Sequence, residues 1–192
     1  MESSLPDEEL LARAVDDPHA FGGVYERYGL SVRRYVVRRV GDGLGDDIAS
    51  EVFARAFRAR SRYRAEHDSA LPWLLGIANH VIADHRRLER RRLAALERVA
   101  RHTPRVVEHR DAGLAPELVA ALRALPSVER DTLLLVVWGE LTQEEAAVAL
   151  GVPVGTVSSR ITRARKRLME SSLGSAPSAG VTELRSHGEP HA

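Results

Sequence analysis

Apolar residues recur along this chain at intervals of three and four, the spacing of one buried helix face, rather than at the interval of two expected of strands. The first run, Asp7 to Asp16, carries Leu10, Leu11, Ala14 and Val15 and predicts a short helix with those residues inward. A second helix is expected from about Pro18 to Val40, repeating Phe21, Val24, Tyr25, Tyr28, Val32, Tyr35 and Val36. The glycine-rich stretch 41–45 reads as a turn, since it lacks the Gly-Lys-Ser/Thr ending of a phosphate loop and follows a helix. Asp46 and Asp47 are expected to open the next helix, where the dipole favours carboxylates. Its buried arc is Ile48, Ala49, Val52, Phe53, Ala56 and Phe57, and Asp47 and Glu51 stand one turn apart outside. The polar stretch Ala59 to Leu71, with Arg60, Arg62 and Arg64 around Tyr63, predicts a loop. Pro72 and Trp73 then start a long helix reaching about Arg92. Leu74, Ile77, Ala78, Val81 and His85 face inward, and Asn79, Ala83, Arg86, Arg87 and Arg90 share the outer face.

Amphipathicity fades from Arg92 to Gly113, which reads as a linker able to reach about 70 Å if fully extended. Short helices follow at Pro116–Leu125 and Ser127–Trp138, the latter with Leu133, Leu134, Val136 and Val137 as core. Leu141 to Leu168 then reads as two helices across a tight turn. Thr142 and Glu145 have the spacing of a capping box, Gly151 suits a left-handed stop, and Pro153 suits a first helical turn. On the second helix Val157, Ile161, Ala164 and Leu168 form a narrow apolar stripe. Gly155, Ser158, Ser159, Thr162, Arg163 and Lys166 lie opposite, and Arg160, Arg163, Arg165, Lys166 and Arg167 include no acid among them. A small polar outer face with a cationic end suits the major groove: early residues reach base edges while later cations meet phosphates. The pattern is that of a helix-turn-helix, though a solvated helix of an ordinary bundle shares part of it. After Met169 the chain is small, polar and turn-rich, and disorder is expected.

The chain has 192 residues, 44% of them hydrophobic and only 5% aromatic, which supports helical cores in one large or two small domains. The formal charge of +1 conceals a separation. Acids gather at 7–17 and 46–51, whereas 86–92 and 160–167 are strongly basic, as in a protein with one electronegative protein-binding face and a nucleic-acid face. Absence of cysteine excludes disulfides and thiolate metal sites. His80 and Asp84 are one turn apart, but His85 points to the apolar side, so three or four converging metal ligands are not expected. No cofactor is implied. The acidic N-terminus does not read as a signal peptide, and the longest apolar run, Leu133–Trp138, is too short for a bilayer, so a cytoplasmic protein without membrane insertion is expected.

Two separated blocks resemble one family. Residues 46–58 and 73–87 look like region 2 of the extracytoplasmic-function sigma factors of bacterial RNA polymerase, and residues 121–168 look like their region 4. The resemblance implies an all-α protein of two small helical domains joined by a flexible linker, the C-terminal one a helix-turn-helix. Its parts would be an N-terminal extension (1–17), region 2 (18–92), linker (93–114), region 4 (115–169) and tail (170–192). It implies an alternative sigma factor, without catalytic residues, that acts as a monomer in the holoenzyme. By resemblance Asp46, Asp47 and Glu51 would dock on the β′ clamp, with the β flap a second polymerase contact. Arg62, Arg64, Asn79, His80, Arg86, Arg87 and Arg90 would hold the melted −10 strand of promoter DNA. Thr156, Ser158, Ser159, Thr162, Arg163 and Lys166 would read the −35 element, and an anti-sigma factor would be a further partner. Ser50 departs from the family's frequent glutamine and His80 from its frequent asparagine. A dimeric helix-turn-helix regulator is the main rival, yet it leaves the basic helix after Trp73 without a role; a metal hydrolase lacks a paired nucleophile and base.

Overall fold

The computed structural model describes residues 5–99 and 114–174. Those residues form eight α-helices and no strand: α1 (Asp7–Asp16), α2 (Phe21–Val40), α3 (Asp42–Ala59), α4 (Leu71–Val99), α5 (Pro116–Ala124), α6 (Ser127–Val137), α7 (Gln143–Leu150) and α8 (Val154–Gly174). Short 3-10 turns precede α2 and follow α3.

Acidic Asp7, Glu8 and Glu9 fill the first turn of α1, and Leu10, Leu11 and Ala14 are buried against α2. Val15 was expected inward but is 43% exposed, because one residue beyond Ala14 turns about 100° off that narrow face. Within α2 the expected arc is buried except at Tyr28, which is half-buried, and Tyr25, which lies exposed with its ring edge-on to Phe53. The glycine-rich stretch supplies a much shorter turn than expected. Gly41 alone takes a left-handed φ of 82°, and α3 starts at Asp42. Asp46 and Asp47 therefore sit in its second turn rather than at its start. Gly45 serves packing: a Cβ there would come within 2.4 Å of a Val37 methyl, so α2 and α3 approach closely.

Helix α4 is longer than its pattern suggests. It runs seven residues past Arg92 into the expected linker, where alanine and leucine have high helix propensity; residues 100–113 lie outside the described residues. It is also buried on two sides, against α2 and α3 and against α7. Leu75 and Ile82 are therefore buried alongside Leu74, Ala78 and Val81, while His85 is only half-buried. In α6 the core is Leu133, Leu134 and Leu135; Val136 is half-buried and Val137 is 52% exposed, so the inward face is rotated from the expected one. The α8 stripe is as expected, with Val157, Ile161 and Ala164 buried on α6 and α7. Helix α8 continues to Gly174, so the first residues of the expected tail are helical; residues 175–192 lie outside the described residues.

The two helical units meet in one continuous apolar core extending from Leu10 to Ala164. Gly76 of α4 permits the contact: a Cβ there would lie 2.4 Å from the Ala149 carbonyl oxygen of α7. Gly139, just after α6, likewise faces a Leu75 methyl, at 2.8 Å from its would-be Cβ.

Candidate nucleic-acid and polymerase interfaces

The helix-turn-helix forms as its residues dictate. The Thr142 hydroxyl accepts from Glu145 N at 3.1 Å, and the Glu145 carboxylate accepts from Thr142 N at 2.8 Å, closing the capping box. Gly151 is left-handed at φ 62° and ψ 39°, and its N–H returns to the carbonyls of Ala147 and Val148. Pro153 sits just before α8, its carbonyl accepting from Thr156 and Val157. With the apolar stripe inward, Gly155, Ser158, Thr162, Arg163 and Lys166 are exposed, and Thr156 and Ser159 are half-buried. The hydroxyls of Ser159 and Thr162 donate to the carbonyls of Thr156 and Ser158, at 3.0 Å each, which leaves their oxygens able to accept from outside.

Periodicity gave no sign of Glu129. This buried carboxylate of α6 lies 3.2 Å from Arg163 Nε through one oxygen. Its other oxygen is 3.1 Å from Arg167 Nε, outside hydrogen-bond geometry. Two of the cations of α8, Arg163 and Arg167, are thereby paired with a carboxylate of α6. Loss of the Thr142 cap by substitution to alanine is expected to cost about 1 kcal/mol, readable as a lower midpoint in thermal unfolding.

The residues expected on the −10 face are split by the structure. Arg62 and Arg64 are exposed on the segment between α3 and α4, and Arg87, Arg90 and His80 are exposed on α4. Arg86 is half-buried and donates to the Arg39 carbonyl at 3.0 Å. Asn79 is not on the outer face. It is 7% exposed, and its Oδ1 accepts from the Tyr35 hydroxyl at 2.7 Å and from Arg39 Nη1 at 2.8 Å. Arg39, itself buried, donates from Nη2 to Asp131 of α6 at 2.5 Å. Burial opposes the Arg39 charge, but Tyr35 and Asp131 outweigh it and keep the guanidinium protonated. This Tyr35–Asn79–Arg39–Asp131 network ties the first helical unit to the second. The sequence concealed it because Arg39 follows Val36 and Tyr35 on a helix end where exposure is the default for arginine. His80 Nδ1 pairs with the Gly76 carbonyl at 2.9 Å, and Asp84 pairs with Arg55 at 2.8 Å, so neither turns toward a shared ligand.

On α3, Asp46 and Asp47 are exposed and Glu51 is half-buried. Asp46 pairs with Arg33 at 2.6 Å, and Glu51 accepts from Arg55 at 2.8 Å and Arg58 at 3.2 Å. The hydrogen bond from Arg55 holds the carboxyls of Glu51 and Asp84 below their usual range. The face is thus acidic at Asp47 and braced by arginines around it.

A sigma-70 region 2 family model matches residues 24–92, and a sigma-70 region 4 model matches residues 116–168. The ECF RNA polymerase sigma factor SigC of Mycobacterium tuberculosis is 35% identical over 170 residues, covering 85% of this chain and 91% of its own. The chain belongs to the extracytoplasmic-function sigma factors. The sigma-E factor of Escherichia coli is 31% identical over 183 residues, covering 88% of this chain and 95% of its own. The fold is also that of the solved CnrH, in complex with the cytosolic domain of CnrY, at a TM-score of 0.60 and 24% identity over 88% of this chain and 99% of CnrH. The sigma factor RpoE of Bartonella quintana, in complex with the anti-sigma factor NepR, aligns at a TM-score of 0.60 and 19% identity, over 82% and 99%. This sigma factor therefore directs promoter recognition and transcription initiation by RNA polymerase, in a family that is not one of catalysts. No helix among the described residues is long and apolar enough to cross a membrane.

Proposed function

We propose that this sigma factor docks on the β′ clamp of core polymerase through Asp46, Asp47 and Glu51, with region 4 against the β flap. The exposed Arg62, Arg64, His80, Arg87 and Arg90, with Arg86, hold the melted −10 strand. Asn79 joins them only when the Tyr35–Arg39 network around it opens. Thr156, Ser158, Ser159, Thr162, Arg163 and Lys166 read the −35 element. The carrying observation is a capped helix-turn-helix with a polar, cationic outer face in one chain with a second, arginine-bearing helical unit. Each module alone is small; tethering both to one polymerase makes the second DNA contact effectively intramolecular, so neither needs to bind tightly. The protein acts in the cytoplasm, as a monomer in the holoenzyme, and an anti-sigma factor restrains it. The similar sigma factor RpoE of Bartonella quintana is solved in complex with an anti-sigma factor.

A promoter library transcribed at two salt concentrations separates the roles. Arg87→Gln or Arg90→Gln should weaken open-complex formation on every promoter and lower the salt slope by about one unit. Ser159→Ala and Thr162→Ala should instead shift −35 preference, with about 1–3 kcal/mol at stake per good base contact. Uniform loss in the hydroxyl variants, with altered preference in the arginine variants, would reverse the assignment.

A further inference from the structure

The segment from Arg60 to Ala70 has little regular structure of its own: one 3-10 turn at Arg60–Arg62, then extended and bent backbone up to α4. Such a segment keeps a single shape only if something outside it fixes its ends. Both ends are held by α1. At the start, Arg60 Nε donates to the Ala14 carbonyl at 2.6 Å, and its guanidinium lies 3.9 Å over the Phe57 ring. At the finish, the Ala70 N–H donates to Asp7 Oδ2 at 2.6 Å. Asp7 is 2% exposed and also accepts from Arg27 Nη1 and from the Tyr28 hydroxyl. The Tyr28 oxygen is in turn 3.1 Å from Ser69 Oγ, which caps α4 through Leu71 N at 3.1 Å. Between these ends, Tyr63 packs edge-on to Trp73, and its hydroxyl is pushed up to about 12, first by burial and then by the nearby Asp7 carboxylate. Arg62 and Arg64 project outward from the segment so braced.

We propose that Asp7 is a positioning residue for −10 recognition, fixing the Arg60–Ala70 segment in the shape that presents Arg62 and Arg64 to the single strand. The proposal rests on the reading that this segment holds the strand. A buried carboxylate with three donors is costly to move, so it defines one geometry where arginine side chains alone would define none. The N-terminal helix, outside both matched regions, thereby becomes part of promoter recognition.

The test uses holoenzyme reconstituted with core polymerase, and fluorescence anisotropy with labelled single-stranded −10 oligonucleotides substituted one base at a time. Core affinity and binding of a duplex carrying only the −35 element are measured in parallel. Asp7→Ala should weaken strand binding about tenfold and flatten its base preference, as expected when ordering of the segment is paid at binding. Core affinity and −35 binding should stay within about twofold. Equal loss in all three measurements would show a merely structural role and overturn the proposal. Tyr28→Phe keeps the ring and removes the hydroxyl bridging Asp7 and Ser69, and should show the same pattern at about threefold. If Asp7→Ala fails to fold, wild-type strand affinity and preference in Tyr28→Phe overturn the proposal. Arg62→Gln and Arg64→Gln test the underlying reading. Strand loss in these with none in Asp7→Ala refutes positioning alone, whereas no loss in either arginine variant refutes the strand contact itself.

Discussion

Asp47→Arg combined with Glu51→Arg is expected to abolish holoenzyme assembly while leaving the helical fold in place. Both residues lie on the side of α3 opposite Ile48, Val52 and Phe53, which carry its packing. Asp47 is exposed, so its reversal touches no core contact. Glu51 does lose its pairs with Arg55 and Arg58, and an arginine there would face two like charges. At the surface this costs tenths of a kcal/mol, and Arg55 keeps Asp84. Against a basic partner surface the two reversals should cost on the order of 4 kcal/mol, roughly a thousandfold in affinity. The check is co-purification with core polymerase beside circular dichroism and a thermal melt. Normal co-purification would place the docking face elsewhere; an unfolded variant would show that α3 needs these acids for stability. The sign of the pH effect is also fixed. Glu51 and Asp84 have carboxyl pKa values lowered by folding, so their contribution is complete above the ordinary carboxylate range and is lost as pH falls through the lowered values.

Arg39→Met should be among the most destabilising single changes available outside the apolar core. The guanidinium is buried, and it bonds Tyr35, Asn79 and Asp131 at once, across both helical units. Methionine replaces the stem but removes the Nη2 donor to Asp131 and one of the two donors to Asn79 Oδ1, which keeps the Tyr35 hydroxyl. Because Asp131 is 23% exposed, water recovers part of the loss, and about 2–3 kcal/mol is expected in place of the larger cost of a fully buried pair. Urea unfolding of Arg39→Met, Asp131→Asn and the double variant forms a cycle whose coupling energy isolates the ion pair. Additive losses would mean that Arg39 acts through Tyr35 and Asn79 alone.

These two positions mark what the sequence discloses and what it hides. The acids of α3 were legible because they sit opposite a clear apolar arc, and a helix wheel needs nothing beyond spacing. The helix-turn-helix was legible for the same reason, reinforced by Thr142, Glu145 and Gly151, whose roles are local and fixed by backbone chemistry. Asn79 was placed on the wrong side because α4 buries two faces, and a single-face wheel puts an amide outside by default. Arg39, Asp131, Asp7 and Glu129 escaped for a deeper reason. Each is a charged residue with an opposite charge many residues distant, and nothing in local periodicity separates a paired charge from a solvated one. The glycines divided likewise: Gly151 announced itself at a helix end, whereas Gly76 is explained only by the Ala149 carbonyl pressing on it from another helix.

This sigma factor is expected to confer promoter specificity on core polymerase and to have no DNA-directed activity by itself. Run-off transcription with core polymerase, on promoters selected from genomic DNA, tests it most directly when run beside duplex binding by the isolated protein. Discrete transcripts are expected only when both protein and core are present, with dependence on the −10 and −35 elements and weak, salt-sensitive binding by the protein alone. Tight sequence-specific duplex binding by the isolated protein as a dimer, with no stimulation of core polymerase, would contradict it.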